Sequence, residues 1–169
     1  MAAEPAMGLR AASLARVELS RVALPTGALL GDAADYADCV RLSRVGWCAL
    51  AVGTAQAVLD YVIPYVNDRL AFGEPISHRQ SVAFMVADIG IELEGMRLAT
   101  YRAASRAEQG RPFAREAALA RQLCGEYGMK IGSAGVQLLG GHGYVKEHPV
   151  ERWYRDLRAV AVLEGGVLV

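Results

Sequence analysis

The residue offering the most specific chemistry is Glu164, a lone carboxylate between the apolar runs 159–163 and 167–169. Burial in such surroundings raises a carboxyl pKa and makes the group a useful general base. A solvated glutamate near a chain end is the plainer alternative. A second group lies in Arg69-Leu70-Ala71-Phe72-Gly73-Glu74-Pro75-Ile76, with Gln80 following. An arginine at a helix end can offer a bidentate guanidinium to a phosphate, and the nearby phenylalanine can lie against a planar ring. The same two residues also read as a helix-terminal cation and a core aromatic. The third group is Gln137-Leu138-Leu139-Gly140-Gly141-His142-Gly143-Tyr144. Its glycines let backbone approach a ligand, and its glutamine amide both donates and accepts. It lacks the strand-before, helix-after context of a dinucleotide fingerprint, and a helix stop with a tight turn is its plainer reading. The last group is Arg41, Arg44 and the run Glu151-Arg152-Trp153-Tyr154-Arg155-Asp156. These are either surface charge around an aromatic anchor or the lining of a site for a phosphate-bearing ligand.

The elements that must position these residues are mostly helical. Residues 14–24 alternate roughly between apolar and polar, and Pro25-Thr26-Gly27 closes them like a turn, which predicts one or two short strands. Such strands make no stable sheet alone and read as an edge of something larger. From about Asp35 the pattern turns helical. A first helix is expected over 38–70 with a kink at Pro64, then a break at Phe72-Gly73-Glu74-Pro75. Ser77 is the expected N-cap of a second helix reaching about Gln109. Gly110-Arg111-Pro112 separates it from a third helix over 113–139, which Gly140-Gly141 stops. Pro149 opens a fourth helix over 150–163. Four helices with short connections predict a mainly α, antiparallel four-helix bundle over 35–169, preceded by a β remnant over 1–34. Small residues along the second and third helices (Ala103, Ala104, Ala107; Ala117, Ala118, Ala120, Gly125, Gly128, Gly132) permit close helix approach, within the bundle or between subunits.

Composition narrows the partners. Lys plus Arg and Asp plus Glu are 18 each, so no bulk field draws the chain to nucleic acid or membrane. Cys39, Cys48 and Cys124 form no CxxC pair and sit in apolar stretches, which predicts buried free thiols in a reducing compartment. With His78, His142 and His148 they make no ligand pattern, and no metal site is expected. The first nine residues lack the make-up of a signal peptide, and the tract 47–59 is broken by Thr54 and Gln56 and too short to span a bilayer. A soluble cytoplasmic protein is expected.

Taken together, the four groups resemble the acyl-CoA dehydrogenase family. That family's C-terminal domain carries an Arg-x-x-Phe-Gly-x-Pro break followed by Gln, a Gln-x-x-Gly-Gly-x-Gly-aromatic turn, a Pro-Val-Glu-Arg then Arg-Asp stretch, and a closing Glu-Gly. All are present in order: Arg69 lies 25 residues after Arg44, Gln137 lies 68 after Arg69, and Glu164 lies 27 after Gln137. The resemblance covers nearly the whole chain, with Met7-Gly8-Leu9-Arg10 and Val22-Ala23-Leu24-Pro25 similar to the last strands of the family's middle β-domain.

The resemblance implies an FAD-dependent desaturation of an acyl-CoA thioester to trans-2-enoyl-CoA, with Glu164 as the base that takes the α-proton. It implies FAD contacts at Arg69, Phe72 and Gln80. Gln137, Gly140 and Gly141 would meet FAD bound mainly by a neighbouring subunit, and Arg44 would lie at the acyl-CoA site. It also implies a homo-oligomer (dimer or tetramer) and an electron-transfer flavoprotein as electron acceptor. Some relatives place the base on the first helix, where this chain has Ser43, which cannot serve. Gly166 and Ala71 stand where the family usually has Thr, and Ser or Thr. The alternative is a helical assembly subunit or fragment of the same fold without chemistry, and the isolated chain is expected to be inactive.

Overall fold

The computed structural model describes residues 2–3, 5–12 and 14–163, so Glu164 lies outside the described residues. Near the N-terminus, Ala2–Ala3 (β1) and Ala15–Arg16 (β2) pair antiparallel, with Ala2 opposite Arg16 and Ala3 opposite Ala15. The alternating stretch 14–24 thus yields a strand only at its start; the rest is irregular and exposed. The segment is fastened to the bundle elsewhere. The Leu9 amide donates to Asp156 Oδ1 at 2.6 Å, and the Arg155 guanidinium donates to the Met7 carbonyl at 2.9 Å. Gly8 packs against this join, where a Cβ would lie 1.9 Å from the Arg155 carbonyl oxygen.

Helix α1 (Ala33–Asp68) starts five residues before the expected point, and its cap explains why. The Asp32 carboxylate accepts from the amides of Ala34 and Asp35, and the Asp35 carboxylate accepts from the Asp32 amide. This reciprocal capping satisfies orphan donors that otherwise face water. Pro64 remains inside the helix. By length and composition α1 could cross a membrane, a property shared by core helices of bundles. Here its stripe of Val45, Cys48, Val52, Ala55, Val58, Val62 and Val66 is buried, with α2, α3 and α5 packed on the helix.

After α1 the chain forms a two-residue hairpin, Leu70–Ala71 (β3) against Glu74–Pro75 (β4), with Leu70 opposite Pro75. Phe72 and Gly73 sit at its tip with φ of 57° and 87°. Positive φ at both central residues matches the right-handed twist of the flanking strands. A one-turn 3-10 helix, Ile76–His78, then leads into α2 (Gln80–Glu108). Ser77 lies within that turn and does not cap α2; Arg79 holds the cap position without a side-chain bond.

Helix α3 (Ala114–Leu139) ends at Gly140, whose φ of 57° and ψ of −131° favour glycine. A single turn, α4 (Gly141–Tyr144), precedes α5 (Val150–Val160), which stops three residues short of the expected end. Consecutive long helices run antiparallel. Gln56 of α1 accepts from Arg97 of α2, Thr100 of α2 meets Cys124 of α3, and Val150 and Leu157 of α5 pack over Gly135 and Gly128 of α3. Mainly α, antiparallel four-helix architecture is the observed fold.

The small residues of α3 serve the bundle itself. A Cβ at Gly132 would meet Tyr154 Cα at 3.1 Å, and one at Gly135 would meet Val58 Cγ1 at 2.7 Å. The bare backbone therefore lets α5 and α1 come close, and Leu157, at 1% exposure, contributes about 2 kcal/mol of burial there. One cysteine expectation fails: Cys48 and Cys124 are buried, but Cys39 is exposed on the outer side of α1.

Candidate functional site

At one end of the bundle the close of α1, the β3–β4 hairpin, the start of α2 and the end of α3 enclose a cleft of about 400 Å³. Arg69, Phe72, Gln137, Gly140 and Gly141 all line it, joined by Tyr65, Ile76, Arg79, Val82 and Met85. Five of the six expected cofactor positions, drawn from segments almost seventy residues apart, therefore converge. The sixth, Gln80, is exposed at the first turn of α2 and does not line the cleft, although its neighbours Arg79 and Ser81 do.

Each side chain is positioned by its own local structure. Arg69 caps α1: its amide donates to the Tyr65 carbonyl at 2.9 Å, and its carbonyl accepts from Ile76 at 2.9 Å. Among the described residues its guanidinium has no hydrogen-bond or ion-pair partner, which leaves an unneutralised cation on the wall. Phe72, at the hairpin tip, is 95% exposed. A bulky residue at positive φ is strained by the order of 1 kcal/mol, and here nothing is gained from burial in return. The Arg79 guanidinium lies 5.5 Å from the Phe72 ring centroid and 3.2 Å from Glu74, so this second arginine is held by the hairpin. Gly140 and Gly141 present bare backbone: a Cβ at either would meet nothing within 4 Å. An exposed aromatic face, an unpaired guanidinium, an amide side chain and open backbone together suit a flat, phosphate-bearing ligand.

Sequence reasoning missed the wall behind the turn. Tyr65 Oη lies 2.8 Å from His142 Nδ1, and Tyr61 Oη lies 2.8 Å from His148 Nδ1. The two imidazoles stack with centroids 5.4 Å apart and planes 22° from parallel. The i, i+4 spacing of Tyr61 and Tyr65 was visible, but nothing local linked them to histidines about eighty residues later.

Arg44 lies elsewhere. It borders a shallow hollow with Tyr36, Cys39, Val40 and Ser43, all on the first half of α1. Twenty-five residues of helix separate it from Arg69, roughly 37 Å. Leu163, the last described residue, has its carbonyl bonded by Arg121 of α3, one turn before Cys124, which faces Cys48 of α1. The cleft and the Arg44 hollow thus occupy different parts of the bundle.

Comparison with known proteins bears on the family. Residues 36–166 match the family described as acyl-CoA dehydrogenase, C-terminal domain. The chain is 38% identical over 166 residues to the mitochondrial short-chain specific acyl-CoA dehydrogenase of Bos taurus, covering 96% of this chain and 40% of that protein. Butyryl-CoA dehydrogenase from Megasphaera elsdenii superposes with a TM-score of 0.76 at 33% identity, over 78% of this chain and 34% of that one. PigA, in a structure with FAD and proline, superposes with a TM-score of 0.76 at 27% identity, over 79% of this chain and 35% of that one. The chain spans about 40% of the length of the curated relatives it matches. Sequence, fold and the convergence at the cleft agree: this chain belongs to the acyl-CoA dehydrogenase family, in the region of its C-terminal domain.

Proposed function

We propose that this chain forms part of an FAD-dependent acyl-CoA dehydrogenase that converts an acyl-CoA thioester to the trans-2-enoyl-CoA. The observation that carries the reading is the single cleft shared by Arg69, Phe72, Gln137, Gly140 and Gly141. These residues fit a flavin dinucleotide: Arg69 for a phosphate, Phe72 for a planar ring, Gln137 and the glycine backbone for polar edges. Gln80, at the head of α2, stands beside them as a flanking contact. FAD, when bound, supplies the hydride acceptor. Glu164 takes the α-proton of the thioester as the β-carbon gives up its hydride, so two hydrogens leave and one C=C bond forms. A carboxylate suits this step because an apolar setting tunes its affinity for the proton. Arg44, on the separate hollow, binds the acyl-CoA.

Because those two regions lie so far apart on α1, one cofactor-substrate site needs the cleft of one copy and the Arg44 hollow of another. A homo-oligomer, dimer or tetramer, follows. The outer face of α2 supports it: Phe84, Ile91 and Leu98, spaced by seven residues, are 62%, 71% and 66% exposed. An electron-transfer flavoprotein is the acceptor suggested by the family, and a cytoplasmic setting accords with the free thiols. The domain division proposed is a β remnant over 1–34 and the helical domain over 35–169. The alternative reading is a non-catalytic helical assembly subunit or fragment of the same fold.

The test is the visible spectrum of the complete enzyme before and after anaerobic addition of acyl-CoA thioesters of graded length. Bleaching of a flavin band is expected, with Glu164→Gln keeping the band and losing about 10²–10⁴-fold in the rate of bleaching. Unchanged bleaching by that variant removes Glu164 from the mechanism, and a protein that never carries flavin leaves the assembly reading.

A further inference from the structure

Among the described residues Arg121 is the one buried cation, 9% exposed on α3. We infer that Arg121 is a positioning residue for Glu164, holding the peptide unit from which that side chain starts. The inference rests on Glu164 being the base proposed above.

Helix α5 ends at Val160, and residues 161–163 form a turn. In that turn the amides of Val162 and Leu163 both donate to the Ala159 carbonyl, at 3.0 and 3.1 Å. The Leu163 carbonyl in turn accepts from the Arg121 guanidinium, which reaches over from α3. That carbonyl belongs to the same planar peptide unit as the nitrogen of Glu164, so whatever orients it orients the plane from which Glu164 departs. One residue before the base, the backbone is therefore held twice: by its own helix through the amide of Leu163, and by α3 through the carbonyl.

The cost of this arrangement separates it from an ordinary helix end. Carbonyls past a last turn are normally satisfied by water, and an exposed cation serves the helix dipole without being buried. Burying a guanidinium incurs a desolvation penalty that a bond to a neutral carbonyl offsets only in part. What the burial yields is direction, because the planar guanidinium donates along fixed lines once its stem is packed. The anchor is firm: Ala117, Ala120 and Cys124, around Arg121 on α3, are fully buried. The other buried polar side chains among the described residues stay within the α2–α3 pair. Thr100 donates to the Met96 carbonyl, and Glu116 faces Arg102 and Arg106. Of the three, Arg121 alone ties α3 to the exit of α5. A base must point at one carbon, and a misplacement of about 1 Å can cost about 10²-fold in rate.

The experiment uses the complete FAD-containing enzyme and follows flavin bleaching after anaerobic rapid mixing with saturating acyl-CoA. Arg121→Met keeps a long stem and loses the donor. Its limiting bleaching rate should fall about 10–100-fold, while flavin content and the half-saturating thioester concentration stay unchanged. Arg121→Lys should recover most of that rate, since one carbonyl needs one donor. Arg121→Met combined with Glu164→Gln should react no more slowly than Glu164→Gln alone, because a group acting through the base then has nothing to act on. A merely structural arginine instead lowers flavin content and thermal stability, and its loss multiplies with that of Glu164. Multiplying losses, or an unaltered rate in Arg121→Met, overturn the inference. A crystal structure of the unaltered enzyme with FAD and the trans-2-enoyl-CoA needs no variant to fold. It should show an Arg121 Nη within about 3 Å of the Leu163 carbonyl oxygen, and a guanidinium turned off that carbonyl overturns the inference. Slow bleaching in Glu164→Gln beside an unaltered rate in Arg121→Met removes this inference alone. An unaltered rate in Glu164→Gln removes the proposed base and the inference together.

Discussion

The cleft end of the bundle and the first half of α1 carry residues of the same kinds, yet they are built differently. At the cleft, two stretches of chain, 65–85 and 137–141, converge, held by features with few substitutes: the Phe72-Gly73 turn at positive φ, the Gly140 stop, the tyrosine–histidine wall. The Arg44 hollow is lined by five residues of one helix, among them Tyr36 at 73% exposure. The first is a surface completed by its own fold; the second is one wall of a surface. A backbone change should therefore be felt at the cleft and barely noticed at the hollow.

The largest difference is expected from stability. Gly143→Ala places a Cβ 2.2 Å from the Val136 carbonyl oxygen, a backbone atom that cannot yield cheaply. Chemical denaturation should show a loss of about 2–4 kcal/mol. At the hollow, exposed Cys39→Ser should stay within about 0.5 kcal/mol. Equal losses would erase the contrast.

Binding sharpens it next. Arg69→Ala should weaken flavin retention about tenfold with stability unchanged, since its guanidinium has no partner among the described residues to lose. Arg44→Ala should instead raise the KM for acyl-CoA and leave flavin in place. Flavin titration and steady-state kinetics on the complete enzyme separate the two; the same ligand responding to both would join the regions that the fold keeps apart.

The smallest effect concerns acid. Arg155 donates two hydrogen bonds to the Glu151 carboxylate, at 2.8 and 3.1 Å, which hold its pKa below the ordinary value, with the arginine's charge adding to the effect. A depressed folded-state pKa gives stability that is present above the unfolded value, about 4.3, and is lost as pH falls through the folded one. Stability of the unaltered chain should therefore slope down slightly below about pH 4.3, with the slope reduced in Glu151→Gln. The cleft, whose arginines lie elsewhere, should be indifferent to that exchange.

Much of this was legible from local signals. Gly110-Arg111-Pro112 and Gly140-Gly141 marked the helix ends because glycine and proline act on their own backbone. The capping by Asp32 and Asp35 was equally local, and five residues of α1 were missed by passing over it. Ser77 misled because a serine can cap only where the chain enters a helix, and the hairpin delivers it to a 3-10 turn first. The Phe72 tip was read as a break since positive φ there is normally announced by Asn or Gly. Motif spacing picked out five residues that the fold brings to one cleft, but it could not say that Gln80 stands outside it, which depends on the helix's rotation. The stacked histidines lay beyond any local reading: their tyrosines are 87 and 77 residues away.

The join between the N-terminal segment and α5 also sets an order of events during synthesis. The Leu9 amide and the Asp156 carboxylate that receives it are 147 residues apart. A ribosome adding roughly 5–20 residues each second leaves Leu9 waiting about 7–30 s for its partner. Through that interval α1, α2 and α3 can emerge and pack, whereas the bonds of Met7 and Leu9 to Arg155 and Asp156 cannot form until α5 arrives. A segment made before the helices is thus secured after three of them.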